Sequence, residues 1–502
     1  MASVATHKAH LVRDLKIGGI ILVAALGVAL LLLTVKWPFT REETIKSLEQ
    51  ISLSEVRISS FDRLFFPRPG YIATGVTFAR GPSHTPLAKI DRIICHSGWL
   101  ALITFTHRIH LMELEGLQVE IPKPLLPPVR KHPPAAIRTT VTTLVANGTV
   151  VQIPRGAGSQ RTRFDFPELV LRNVGSGKTI HLETRMHNPS PPGELRVSGA
   201  VGPLSVRRAP ETPLSGTFRF LNADLSTFRG IAGTLTASGQ FKGTLARAEV
   251  TGKAGIPDFE LTSAHHPIVL RSEYRVLVNG IRGDVTVESV HTHLLNTDLA
   301  ASGSLTGTAG KTLSLDLEST QARIEDLLRL FAESDPPALA GPIRLRAHVM
   351  LPPEHRPFIH RVRLDGDFAI DDADFTASAT QDKVDQLSAR ARGHKNEVQR
   401  VAENLIGKVR LRDGLATLSS TAFAVPGAVA KGEGTYNIPT GAVDFHGQLA
   451  MHVTLSKAVG GLKSILLLPL DPFFKKSNAG AVVPVAMTGT YQHPVFKVSL
   501  RK

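Results

Sequence analysis

A strict alternation of apolar and polar residues runs through the middle of this 502-residue chain and limits what it can fold into. Val285 and Val287 flank Thr286. Leu313, Leu315 and Leu317 flank Ser314 and Asp316. Ile343, Leu345, Ala347 and Val349 alternate with Arg344, Arg346 and His348. Successive strand side chains point to opposite faces, so such segments bury one face and wet the other. This period dominates residues 138–377. The 42 glycines and 33 prolines suit many short strands joined by turns. A loose repeat, glycine then an apolar residue two positions on, recurs as Gly199–Val201, Gly239–Phe241, Gly303–Leu305, Gly434–Tyr436 and Gly489–Tyr491. Its irregular spacing excludes a fixed-period solenoid and suggests repeated strand pairs in an elongated sheet.

Few helices interrupt the strands. Thr40-Arg41-Glu42-Glu43 is a capping box, which predicts a short helix to about Gln50. Ile324, Leu327, Leu328 and Phe331 share one side of a helix expected over Gln321–Phe331. A third is expected near 456–470, followed by Pro472-Phe473-Phe474. Leu462, Ile465, Leu466, Phe473 and Phe474 would either seal the end of the β domain or touch a membrane surface.

Residues 17–35 carry no charge and approach the ~20 residues needed to cross a bilayer. Lys16 and Lys36 bracket the run, and Trp37 sits where interfacial aromatics lie. Thr34-Val35-Lys36-Trp37-Pro38 does not resemble a cleavage site, so a retained anchor is expected. Basic residues flank both ends equally. The short tail, 1–16, favours a cytoplasmic N-terminus and translocation of the rest. The further divisions expected are a β region over 36–121, a Pro-rich linker over 122–137, the alternating region over 138–377, a polar helix or loop over 378–405, and a C-terminal region over 406–502.

The net charge of +15 suits acidic partners such as anionic lipid surfaces, although scattered arginines also fit simple solubility. Nucleic acid is disfavoured, because basic residues are not interleaved with stacking aromatics. The one cysteine, Cys95, excludes an intramolecular disulfide and CxxC sites. Gly175-Ser176-Gly177-Lys178-Thr179 lacks the leading glycine of a phosphate loop, with Arg172 in its place, and reads as a turn. His291 and His293 share a strand face without a third metal ligand. Asp365, Asp367, Asp371, Asp372 and Asp374 lack the calcium-loop pattern. No motif assembles a nucleophile, a base and an oxyanion site, so no enzyme, metal or cofactor is expected.

Two stretches resemble the AsmA-like proteins, anchored in the inner membrane of bacteria. One is 87–121, with Leu114-Glu115-Gly116-Leu117-Gln118-Val119, preceded by the Phe/Pro-rich Phe65–Gly70. The other is 460–476 with Val483-Pro484-Val485, Gly489-Thr490 and His493–Phe496. Residues 231–260, with Gly239, Phe241, Gly243 and Pro257-Asp258-Phe259, also fit. The resemblance implies a mainly β fold: a transmembrane helix, then a curled, mostly antiparallel sheet forming a groove. It implies a periplasmic domain that carries or regulates phospholipid in outer-membrane biogenesis. Val285, Val287, Leu313, Leu315, Leu317, Ile343 and Leu345 would then line the groove, and basic residues would meet anionic headgroups. A series of ordinary β-sandwiches fits the alternation equally well. The rival function is an assembly factor for outer-membrane proteins, binding through exposed sheet edges.

Overall fold

The computed structural model describes residues 39–52, 54–80, 85–99, 108–120, 140–154, 161–175, 177–204, 208–307, 310–333, 335–376, 403–425, 428–451, 482–490 and 493–498. The tail 1–16, the expected anchor 17–35, the linker 122–137, most of 378–405 and the expected helix near 456–470 lie outside them. Among the described residues no helix is long and apolar enough to cross a membrane.

The fold is mainly β: 26 strands belong to one large sheet, and two short strands form a second. Among the described residues three α-helices accompany them: Arg41–Ser52, Ile324–Phe331 and Phe358–Arg361. The chain divides into two compact units, one running to Ile153 with Asp165–Glu183, the other holding Pro154–Phe164 and Thr184 onward.

In the first unit the Thr40 side of the capping box is in place. Thr40 Oγ1 accepts the Glu43 N–H at 3.3 Å, and the Thr40 carbonyl accepts the Thr44 N–H at 2.9 Å. Phe39, Ile45 and Leu48 then pack on a buried cluster that includes Val56, Ile58, Tyr71, Val76, Ile93 and Cys95. Covering by a helix makes this the fully buried core of the unit. The strand Arg108–Glu115 pairs in parallel with Thr140–Pro154, as does Gln118–Glu120. Parallel neighbours require a crossover connection. The compact unit therefore continues past the Pro-rich stretch, which is not its boundary.

In the second unit sixteen strands, from Pro192–Val201 to Pro494–Val498, form one antiparallel ladder. Each pairs with the long strand before it in the chain. The helix expected from Gln321 starts at Ile324, because Gln321 and Ala322 remain in the ladder opposite Asp298 and Ile343. The strand Glu403–Arg412 begins inside the stretch expected to be polar helix or loop to 405, where Leu405 pairs with Ile370.

Candidate functional site

The register carries one row of side chains across the ladder without a charged member. It starts with Val197, Phe218, Gly239, Gly252, Tyr274 and Val290. It continues through Ala301, Leu317, Ala347, Gly366 and Val409. It goes on through Leu418, Gly434, Phe445 and Met487. Bulges, as between Val287 and Val290, add residues without turning this face over. Ala347 is buried at 7% exposure, and every other member is half-buried. A second layer, as in a sandwich, would bury the whole row; these side chains shield one another but are not covered in that way.

All seven residues expected on one face are brought together there. Val285 opposes Leu305, which opposes Leu313. Val287 opposes Gly303, which opposes Leu315. Leu317 opposes Ala347. Ile343 and Leu345 sit on the same side of their strand, Ile343 buried and Leu345 half-buried. Leu462, Ile465, Leu466, Phe473 and Phe474 lie outside the described residues.

Facing glycines let neighbouring strands approach closely on this face. Gly199 opposes Gly216, Gly239 opposes Gly252, and Gly432 opposes Gly447. A Cβ at Gly239 would meet the Thr251 carbonyl oxygen at 2.3 Å, and one at Gly252 the Ser238 carbonyl oxygen at 2.3 Å. Glycines at such positions are one way a sheet acquires curvature. Aromatic rings from neighbouring strands occupy the vacated space. A Cβ at Gly216 would lie 2.7 Å from the Phe241 ring, and one at Gly239 lies 3.0 Å from that of Phe218. The glycine-plus-two repeat marked Gly199 and Gly239 among these, but not Gly216, Gly252, Gly432 or Gly447, and the sequence alone does not show which glycines oppose each other.

The other face is charged. Its neighbouring row reads Lys253, Glu273, His291, Ala300, Glu318, Arg346, Asp367 and Lys408. Lys253 Nζ donates to Glu273 at 2.6 Å and Arg346 to Glu318 at 2.9 Å. Arg412 and Arg410 hold the Asp365 carboxyl below its usual range. Two hollows of about 790 and 900 Å³ open on this face, lined by residues such as Glu318, Arg346, His348 and Lys253. Their volume does not make them the better candidate, because their carboxylates and cations largely neutralise each other. His291 and His293 do share this face, but His293 Nδ1 lies 2.7 Å from Asp298 Oδ1. Among the described residues no cluster of three potential metal ligands forms. Asp365 and Asp367 point from a strand, while Asp371 meets Arg344 at 3.0 Å.

Cys95 is buried in the first unit, and burial pushes its thiol up to about 12, which suppresses the nucleophilic thiolate. The helix Ile324–Phe331 and the segment 357–362 reach the apolar face near one margin, where Phe331 and Phe358 pack around buried Ile359, Val362 and Leu411. Compared with family models, with curated proteins and with solved structures, the chain matches none of them.

Proposed function

We propose that this is a membrane-anchored, non-enzymatic envelope protein of the AsmA-like kind that holds phospholipid acyl chains on its apolar sheet face. It transfers or regulates phospholipid between the inner and outer membranes, in support of outer-membrane biogenesis. Residues 17–35 anchor it in the bacterial inner membrane, and the β region lies in the periplasm. The observation that carries this reading is the uncharged, half-buried row from Val197 to Met487. An apolar face of that extent needs a cover. At ~4.8 Å per strand the row runs on the order of 70 Å along the sheet, more than twice the ~30 Å hydrocarbon core of a bilayer. Acyl chains match it in chemistry, and the charged opposite face keeps the domain in water.

Site-specific photocrosslinking in cells tests this. A photoreactive residue at Leu317 is expected to capture phospholipid, and one at Arg346, on the other face, is not. Protein adducts at Leu317 without lipid would replace the transfer reading with the assembly-factor one.

A further inference from the structure

Connections between strands alternate between the two margins of the ladder. The connection 225–233 lies on the margin where Asp224 faces Thr234 and Arg323 faces Pro342. The connection 352–362 lies on the opposite margin, where Leu351 faces Leu313 and Met350 faces Arg363. Six strands separate Pro213–Asp224 from Pro342–Leu351. A flat sheet would hold the two connections on the order of 30 Å apart. Yet the Phe358 N–H donates to the Arg229 carbonyl oxygen at 2.9 Å. Gly230 permits the approach: its φ is +90°, and a Cβ there would sit 2.7 Å from the Phe358 nitrogen.

The helix Ile324–Phe331 completes the contact. Its root is fixed, with Asp326 accepting the Asn296 N–H at 2.9 Å and the Thr297 hydroxyl at 3.0 Å. Beyond its far end, the Glu333 carbonyl oxygen accepts from His266 Nε2 at 3.3 Å. Phe331 packs in the cluster around Ile359 and Val362, on the apolar side of Val349 and Leu364.

We infer that this junction is a gate: a strap of 225–233, the helix Ile324–Phe331 and 357–362 closes the apolar face over its middle strands. It parts to let an acyl chain pass from strands on one side of it to strands on the other. The inference rests on the lipid-transfer reading. The strap is built to part before the sheet does, because among the described residues the Phe358–Arg229 backbone hydrogen bond, the His266–Glu333 hydrogen bond and a small apolar cluster hold it across, while continuous ladders hold the strands. Its cluster is formed by apolar side chains, so it suits acyl chains and turns headgroups outward.

The test is a disulfide between the exposed positions Arg229→Cys and Pro357→Cys in the full chain. The chain is reconstituted in phosphatidylethanolamine–phosphatidylglycerol vesicles carrying a fluorescent phosphatidylethanolamine, and transfer to acceptor vesicles is followed. The oxidised protein is expected to lose transfer, and reduction to restore it. Equal transfer in both states overturns the gate and leaves the transfer reading standing, as does failure of the disulfide to form in the folded chain. Absence of transfer by the unmodified chain overturns the transfer reading. Hydrogen exchange of Gly230→Ala then judges the strap alone. Faster exchange confined to 324–331 and 357–362 supports a separable strap, and unchanged exchange overturns it.

Discussion

Gly239 lies directly opposite Gly252, and neither position has room for a methyl group on the apolar side. The clash would be with main-chain carbonyls, which cannot swing aside as a side chain can. Gly239→Val is expected to destabilise the second unit by about 1–3 kcal/mol, the usual range for overpacking. Urea denaturation checks it. Gly255, on the opposite face, has open space around its Cβ position, so Gly255→Ala is the control expected to leave the midpoint almost unchanged.

Leu315 and Val287 are half-buried, so a carboxylate there can still reach water and the fold should survive. Leu315→Asp is expected to keep the circular-dichroism spectrum and to lose phospholipid from the purified protein. Retention of lipid by both Leu315→Asp and Val287→Asp would remove this face from the binding site.

Asp326 is 2% exposed and satisfies two donors of the turn before Thr297. Asp326→Ala leaves the Thr297 hydroxyl, on a residue with no exposure, without that acceptor. A loss of about 1–3 kcal/mol is expected, the cost of an unsatisfied buried polar group. Thermal unfolding measures it, and Asp326→Asn should recover part of the loss through its remaining carbonyl oxygen.

Burial raises both Tyr71 and Cys95 in the first unit, and Tyr71 goes well above its ordinary value. The neutral thiol therefore favours the folded state. Its contribution is fully present below the ordinary thiol value of 9.0 and is lost as pH rises towards about 12. Stability is expected to fall through that alkaline window, and less steeply in Cys95→Ala. In the native protein at pH 8 a maleimide should leave Cys95 unlabelled until urea opens the unit.

Much of the sheet was legible because period two has a direct geometric meaning. Alternation puts Leu313 and Leu315 on one side of their strand and Ile343 and Leu345 on one side of theirs, but which sides of different strands share a face came only with the register. The helix after Thr40 was legible from its cap. The Ile324–Phe331 helix was visible from its apolar stripe, but Gln321–Arg323 carry no mark of their strand pairing. The proline-rich stretch looked like a boundary because composition records where regular structure stops, not which strands meet across it. Likewise nothing in the sequence near Gly230 announces Phe358. That contact depends on curvature accumulated over several strands, a quantity that each facing glycine pair alters slightly and none displays alone.

The ladder of the second unit has a consequence for how such a chain is assembled. Each long strand joins the strand before it, so its partner is in place by the time it is made or leaves a pore. Little loop entropy has to be spent on any one addition, and the contacts stay local in sequence. The chain can therefore fold vectorially, one hairpin after another. Only the strap, which needs the strands from Pro213 to Leu351 already curved, must wait for a late docking step.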